Sequence, residues 1–509
     1  MHSNVGLFLH RWATCDPNRT GIIDAGRGDV PVSYGELNHR AARVASHLRA
    51  RGLGPGDRVA ICTANGLEFV AAWFGAVYAG CATLPIPAAS TAPEIAFRLD
   101  HAACGALLTD AARSDIGRES ALRASSAALL LEVEEAIDAA LGEATPCNVE
   151  ADAFAMLLYT SGTTGAAKCA CIGHASLRAH TQALVDDVIG LRENDRVLGT
   201  LPLTHSYGIR TTLLVPFCAG ASTVFTPKFS PRRTLELCNS HGVTWLPAVP
   251  TMFIAWANEE TVPAPTTLRW CMSAGAPLVE DVRRCAEVRL GAPVRQAYGL
   301  TEANLTAINA PPDEAIAGSS GKPVAGVTVR IAGESGAELP QGSCGEVLVR
   351  GPNVMAGYLD DKIATAHVMR GGWLHTGDLG FVDSEGRLTI VDRSKDLILR
   401  GGASIYPSEV ESVLSDHPAV REAAVVGQPD DYYGEEVVAV VVTDGSVGMV
   451  DLDLWAKEQL AAYKVPRAYA FVDSLPRSGS GKTLKRRLRD QIAEGVIQLE
   501  ALSADRPAH

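Results

Sequence analysis

Between residues 57 and 87 the chain changes its apolar period twice. DRVAIC (Asp57–Cys62) is a short β-rich run, and NGLEFVAAWFGAVYAG (Asn65–Gly80) repeats apolar residues at helical spacing. ATLPIP (Ala82–Pro87) is extended and closes with prolines. The pattern returns later. DRVLGTLPL (Asp195–Leu203) predicts a strand, RTTLLVPFCAG (Arg210–Gly220) a helix, and TVFTPKF (Thr223–Phe229) and TWLPAVP (Thr244–Pro250) further short strands. Strand and helix in alternation predict an α/β architecture with mostly parallel sheets.

After about residue 320 the character changes. GVTVRIAG (Gly326–Gly333), GEVLVRG (Gly345–Gly351) and GFVDSEGRLTIVDR (Gly380–Arg393) are closely spaced β runs joined by Gly, Ser and Asp turns, an antiparallel pattern. Beyond Arg393 the pattern is mixed. SEVESVLSDH (Ser408–His417) and DLWAKEQLAAY (Asp453–Tyr463) are helical, while VREAAVVGQ (Val420–Gln428) and EEVVAVVVT (Glu435–Thr443) are strands. A boundary between Arg393 and Lys395 gives a mixed α/β protein. Residues 1–393 form a large N-terminal domain of α/β sheets with a β-rich subdomain, and residues 394–509 form a small α+β domain.

Composition narrows the class. A chain of 509 residues exceeds one ordinary core, and 47% hydrophobic with 20% charged residues is ordinary for a globular enzyme. A formal charge of −13 argues against nonspecific binding to nucleic acid or an anionic membrane. The first twenty residues lack the basic start and unbroken apolar core of a signal peptide, and no apolar run reaches membrane-spanning length. Twelve scattered cysteines, none beyond Cys344, are better read as reduced cytoplasmic thiols than as a disulfide framework.

The segment YTSGTTGAAKCACIGH (Tyr159–His174) concentrates candidate chemistry. Gly162 and Gly165 let the backbone turn tightly toward an anion, Thr160, Ser161, Thr163 and Thr164 add hydroxyls, and Lys168 adds a charge. The spacing is not that of a P-loop. Cys169 and Cys171 lack further ligands at metal-binding spacing and read as small apolar residues on one face of a strand.

Three other segments bear on this loop. AYGLTE (Ala297–Glu302) offers an aromatic ring, a hydroxyl and a carboxylate. GWLHTGD (Gly372–Asp378) sets a carboxylate after a glycine turn, and RSGSGKTLKRRLR (Arg477–Arg489) displays Lys482 on a Gly/Ser loop before a basic helix. Each alone has a bland reading as core, cap or solvated face. Together with SAGAPL (Ser273–Leu278), VDRSKDLILRGG (Val391–Gly402) and IYPSEVE (Ile405–Glu411), in this order, they resemble the adenylate-forming superfamily of acyl- and aryl-CoA synthetases, adenylation domains and luciferases. The resemblance spans essentially the whole chain.

The resemblance implies an ATP- and Mg²⁺-dependent ligase that makes an acyl-adenylate and then a CoA thioester. It implies that Thr160 to Lys168 form a mobile phosphate loop, although Ala167 replaces a usual proline and Cys169 a usual glycine. Gly275, Ala276 and Pro277 would wall the adenine, with Tyr298 and Gly299 at its face. Thr301 would meet the α-phosphate and Glu302 would hold Mg²⁺. Asp378, assisted by Arg393, would bind the ribose, Lys395 would be the hinge of a mobile lid, and Lys482 the catalytic lysine. Arg400, Gly401 and Gly402 would contact CoA.

For the acid, the implied pocket includes the gate His205 with Ser206, Tyr207, Arg210, Val249 and Pro250. It offers no carboxylate for an α-ammonium, which disfavours an amino acid. Fatty, aromatic and dicarboxylic acids stay open. Arg210 is read as facing solvent or pyrophosphate in preference to a second substrate carboxylate. Lys464, Arg467 and the run Lys485–Arg489 are candidates to attract CoA phosphates, although the run itself is read in preference as a solvated helix face. A carrier-protein phosphopantetheine is the alternative acceptor, and a noncatalytic nucleotide-binding relative the alternative class.

Overall fold

The computed structural model describes residues 3–126, 128–138, 142, 144–160, 168–313, 315–393, 396–400, 403–430, 432–477 and 482–501. The chain forms two compact units, Met1–Val329 with Val349–Leu374 and Arg330–Leu348 with His375–His509.

In the first unit, one sheet runs in the order Gly357–Tyr358, Cys169–Gly173, Phe154–Tyr159, Ala82–Pro85, Arg58–Cys62, Ala106–Thr109 and Leu129–Glu132. The last four strands are mutually parallel. Helix Leu67–Ala79 makes the crossover between Arg58–Cys62 and Ala82–Pro85, as the change of period predicts. Apart from Glu68 in its first turn, that helix is apolar all round and buried. Helix Tyr34–Ala50 packs on it, and a Cβ at Gly75 would stand 2.5 Å from the Val44 side chain. Glycine is what permits this approach. The Tyr34 helix starts where Ser33 Oγ accepts the Glu36 N–H at 3.2 Å.

Strand Cys169–Gly173 turns back antiparallel on Phe154–Tyr159. The alternation sends Cys169 and Cys171 into one core cluster with Cys62, Cys104, Ala82 and Leu84. Burial raises both thiols, Cys171 to about 11, so they behave as small apolar side chains. All twelve cysteines are unpaired.

The second sheet of this unit runs Val30–Ser33, Thr20–Asp24, Ser222–Phe225, Arg196–Gly199, Trp245–Ala248, Trp270–Ser273, Val294–Leu300, Asn304–Ile308 and Ser319–Pro323. From Thr20–Asp24 through Val294–Leu300 the pairs are parallel, and the two that follow are antiparallel. The predicted helix at Arg210–Gly220 forms as a π-helical segment, Arg210–Leu214, that continues as α-helix Val215–Ala219.

In the second unit, Asp378–Val382 pairs antiparallel with Leu388–Arg393, as the Gly/Asp-rich turns predict. The C-terminal sheet has Val420–Asp430 and Gly434–Thr443 as a long hairpin, with Ala468–Phe471 parallel to the latter. The run VVAVVV is apolar at every position because both faces of its strand are covered. Val437, Ala439 and Val441 pack with Leu414 and Leu452, while Val438, Val440 and Val442 pack with Leu475 and Leu488. Among the described residues, no helix is long and apolar enough to cross a membrane.

Candidate active site

The segments singled out in the first unit share one topological address. Thr204–Arg210, Val249–Pro250, Gly275–Pro277 and Thr301–Glu302 each follow the carboxyl end of a parallel strand, respectively Arg196–Gly199, Trp245–Ala248, Trp270–Ser273 and Val294–Leu300. Thr160 likewise follows Phe154–Tyr159 in the other sheet. Ligands of open α/β sheets bind outside these ends, where loops leave backbone groups unpaired.

AYGLTE forms the end of a hairpin. The register between Val294–Leu300 and Asn304–Ile308 slips at Tyr298/Gly299, and a Cβ on Gly299 would lie 2.1 Å from the Asn304 carbonyl oxygen. Asn304 takes a left-handed φ of 48°, which its short amide side chain tolerates. The hairpin is tied down on two sides. Ser206 Oγ donates to Asn304 Oδ1 at 2.7 Å, and buried Asn353 donates to the Ala303 carbonyl and to Thr306 Oγ1. Thr301 and Glu302 therefore occupy a fixed tip, while Tyr298 is buried beneath it.

Glu302 meets a residue that the motif reading missed. The Tyr358 hydroxyl donates to Glu302 Oε1 at 2.8 Å, and the Lys168 ammonium lies over the Tyr358 ring, 5.1 Å from its centroid. Tyr358 reaches this point because Gly357–Tyr358 adds as an antiparallel edge to Ala170–Cys171, two residues after Lys168. Burial and the Glu302 carboxylate push the phenol well above its ordinary range, so it stays a donor. The sole sequence cue was a Gly-Tyr pair in MAGYLD, a two-residue strand with no period to detect. At the loop base, the Thr160 N–H donates to the Lys168 carbonyl at 2.7 Å. Ser161, Gly162, Thr163, Thr164 and Gly165 lie outside the described residues.

Among the described residues, Glu302 Oε2 makes no hydrogen bond, and neither Glu302 nor Lys168 joins an ion pair. One half-buried carboxylate fits Mg²⁺, a hard ion that keeps water and phosphate oxygens as its other ligands.

Gly275 turns through a left-handed φ of 92°, and the Leu278 N–H donates to Gln296 Oε1 at 3.3 Å, fixing the Gly275–Pro277 loop against the Val294 strand. His205 precedes the short helix Ser206–Ile209 and is half-buried. Tyr207 donates to the Met272 and Ala248 carbonyls at 2.9 and 3.2 Å, bracing the ends of two strands. Pro250 is buried at the start of helix Pro250–Ala257 and Val249 is half-buried.

Arg210 departs from the expectation that it faces solvent or pyrophosphate. Its side chain is 1% exposed and donates to the Leu177 carbonyl at 3.1 Å and Thr181 Oγ1 at 2.8 Å, both on helix His174–Ala183. Its Nε and Nη2 have no partner among the described residues. Position within an α/π helix junction turns it inward, which residue type alone does not reveal.

In the second unit, Asp378 is 3% exposed and Arg393 Nε lies 2.9 Å from its Oδ1. Gly377, at φ 70°, makes the turn that presents Asp378, whose N–H donates to Thr376 Oγ1. Lys482 is half-buried at the end of a loop closed by the Arg477–Thr483 bridge and by the Leu484 N–H to the Pro476 carbonyl at 2.8 Å. Lys395, Gly401 and Gly402 lie outside the described residues.

The expected solvated basic face is more engaged than its charges suggested. Lys485 pairs with Glu411, Arg489 with Asp396 and Lys464 with Glu409. Arg400 is engaged by its own domain, with a two-pronged pairing to Glu436 and its guanidinium 4.0 Å from the Tyr433 ring centroid.

Comparison with known proteins identifies the family. The AMP-binding enzyme family matches residues 9–359, and the AMP-binding enzyme C-terminal domain matches residues 409–482. The chain is 35% identical over 499 residues to a feruloyl-CoA synthase of Amycolatopsis sp, covering 96% of this chain and 99% of that protein. The structure of ATP-bound MatB from Rhodopseudomonas palustris superposes with a TM-score of 0.91 at 34% identity, covering 96% and 99% of the two chains. That of the o-succinylbenzoate CoA synthetase MenE from Bacillus subtilis, with the acyl-adenylate intermediate OSB-AMP, gives 0.86 at 33%, covering 95% and 98%. Matching both domains along nearly its whole length, the chain belongs to the AMP-binding enzyme family and is an AMP-forming acid–thiol ligase that uses ATP, Mg²⁺ and CoA through an acyl-adenylate.

Proposed function

We propose that the acid is one without an α-ammonium group, an acyl or aryl monocarboxylate, and that CoA is the acceptor in preference to a carrier-protein phosphopantetheine. The observation that carries the nucleotide reading is the meeting of Lys168 and Glu302 around Tyr358 at the carboxyl ends of the strands. The phosphate loop from Thr160 to Lys168 would draw in the phosphates of ATP, and Glu302 would hold Mg²⁺, which supplies charge neutralisation on them. Gly275, Ala276, Pro277, Tyr298 and Gly299 form the adenine wall, and Asp378 with Arg393 takes the ribose hydroxyls. Thr301 orients the α-phosphate.

Both reactants are anions, so their approach needs fixed positive charge. Lys482 is assigned to bridge the acid carboxylate and the α-phosphate. A carboxylate oxygen attacks the α-phosphorus and pyrophosphate leaves. In the second step a thiol sulfur attacks the acyl carbon, the thiol proton is lost and AMP departs. A lid of residues 394–509 turning about Lys395 separates the two steps by removing Lys482, and the Arg400–Gly402 segment contacts the thiol substrate.

His205, Ser206, Val249 and Pro250 line the acyl pocket, with Tyr207 and Arg210 as its braced outer side. Arg210 is directed at helix His174–Ala183, which supports a substrate with one carboxylate. The unpaired thiols support a reducing compartment, the cytoplasm. The deciding experiment is pyrophosphate release with a panel of acids, followed by thioester detection with CoA or a phosphopantetheinylated carrier. Release without any CoA thioester would move the acceptor to the carrier, and no release with any acid would remove the catalytic reading.

A further inference from the structure

Glu302 and Lys168 carry opposite charges and are brought to the same side chain, yet among the described residues they form no ion pair with each other. Tyr358 contacts both of them. Its hydroxyl holds Glu302 Oε1 at 2.8 Å, and its ring face receives the Lys168 ammonium at 5.1 Å. A direct Lys168–Glu302 pair would neutralise both groups and oppose binding of a metal ion by one and of phosphate by the other. A ring and a hydroxyl satisfy each group without cancelling either charge.

The placement is rigid. The Leu359 N–H donates to the Cys169 carbonyl at 2.7 Å and the Ala356 N–H to the Cys171 carbonyl at 2.9 Å. The Tyr358 N–H donates to Thr365 Oγ1 at 2.8 Å. Glu302 is held from the backbone as well, its carbonyl accepting the Met355 N–H at 2.8 Å. The segment from Met355 to Leu359 thus laces the metal-carboxylate hairpin to the strand that follows Lys168.

We propose that Tyr358 is a positioning residue for Mg·ATP, a spacer that keeps Glu302 open to the metal ion and Lys168 open to phosphate before the nucleotide arrives. This rests on the roles given above to Lys168 and Glu302. The hydroxyl serves the carboxylate and the ring serves the ammonium, so the two functions separate by substitution.

The test is calorimetric binding of ATP to the acid-free enzyme, with Mg²⁺ and with EDTA, for Tyr358→Phe and Tyr358→Leu. Tyr358→Phe keeps the ring, so metal-free ATP binding stays at the wild-type level while the gain from Mg²⁺ falls about tenfold, the value of one hydrogen bond to a charged group. Tyr358→Leu frees Lys168 to pair with Glu302, so binding falls in both conditions. Thermal midpoints of both variants establish that they fold. Glu302→Gln and Lys168→Ala serve as references. If they weaken Mg²⁺-dependent and metal-free binding respectively while both Tyr358 variants bind like wild type, the spacer role is overturned and the site reading stands. If the references themselves bind like wild type, the site reading falls and the spacer with it.

Discussion

Asp378 and Arg393 face each other across two antiparallel strands, in register, with Arg393 Nε 2.9 Å from Asp378 Oδ1. The aspartate is almost fully buried and the arginine partly exposed, so the pair holds a carboxylate in a fixed orientation at low local dielectric.

A carboxylate set this way is suited to the proposed role of accepting from two vicinal ribose hydroxyls. Asp378→Asn is expected to raise the KM for ATP by about 10- to 100-fold, the loss of charge-assisted hydrogen bonds. It should also narrow the preference for ATP over 2′-deoxy-ATP, because the proposed ribose contact uses the hydroxyl the analogue lacks. Steady-state kinetics with both nucleotides measure this. An unchanged ATP/2′-deoxy-ATP ratio would move the ribose contact elsewhere.

Lys482 yields to a half-reaction experiment. Its loop is closed at the base by the Arg477–Thr483 bridge, so truncating the side chain leaves the loop's anchor in place. Lys482→Ala is expected to slow adenylate formation by about 100-fold or more, the scale of removing one charge-stabilising group. Thioester formation from supplied acyl-adenylate should stay within a few-fold of wild type. Pyrophosphate exchange and CoA thioester assays report the two steps separately. Equal losses in both would remove the assignment.

The parts legible in the sequence are those with a period or a motif. The strand–helix–strand at Asp57–Pro87 shows as a change of apolar spacing, and the VVAVVV run shows a strand covered on both faces. Tyr358 escaped because its strand is two residues long and its role depends on pairing with Ala170 and Cys171, a contact between distant segments. Arg210 was misjudged because orientation around a helix that switches from α to π spacing cannot be counted from composition. The partner of Lys485, read as part of a solvated face, and that of Arg400, read as a CoA contact, escape the sequence because Glu411 and Glu436 are brought in only by the fold.

Arg210 gives a third prediction. Burial brings its guanidinium down to about 9, so the folded state bears a cost for the charge that is fully present below that pH and fades as pH rises toward the ordinary guanidinium range. Replacing a buried, incompletely bonded cation by a side chain of similar volume is often neutral or stabilising. Arg210→Met is expected to gain about 1 kcal/mol at pH 7, measured by chemical denaturation, and to retain turnover with monocarboxylic acids. A loss confined to dicarboxylic acids would reinstate a second-carboxylate role for this residue.

The last prediction concerns acid stability. His174 is fully buried, and its Nδ1 accepts the Val5 N–H at 3.1 Å, tying the N-terminal segment to the start of helix His174–Ala183. An accepting Nδ1 places the ring proton on Nε2, which has no partner among the described residues. Burial, with Arg178 adding to it, drags the imidazole down to about 4 from 6.5. Between those values the unfolded chain binds a proton that the folded chain refuses. Stability therefore falls as pH drops through 6.5 and the loss levels off near 4, at about 1.4 kcal/mol per pH unit for one such group. His180, likewise buried and lowered with Arg210 beside it, acts in the same direction. In His174→Gln the amide oxygen can still accept the Val5 N–H but does not titrate. Urea unfolding at pH 7.5, 6 and 5 should show the variant losing stability less steeply than wild type by about one proton. Parallel pH profiles would mean that His174 meets acid already solvated.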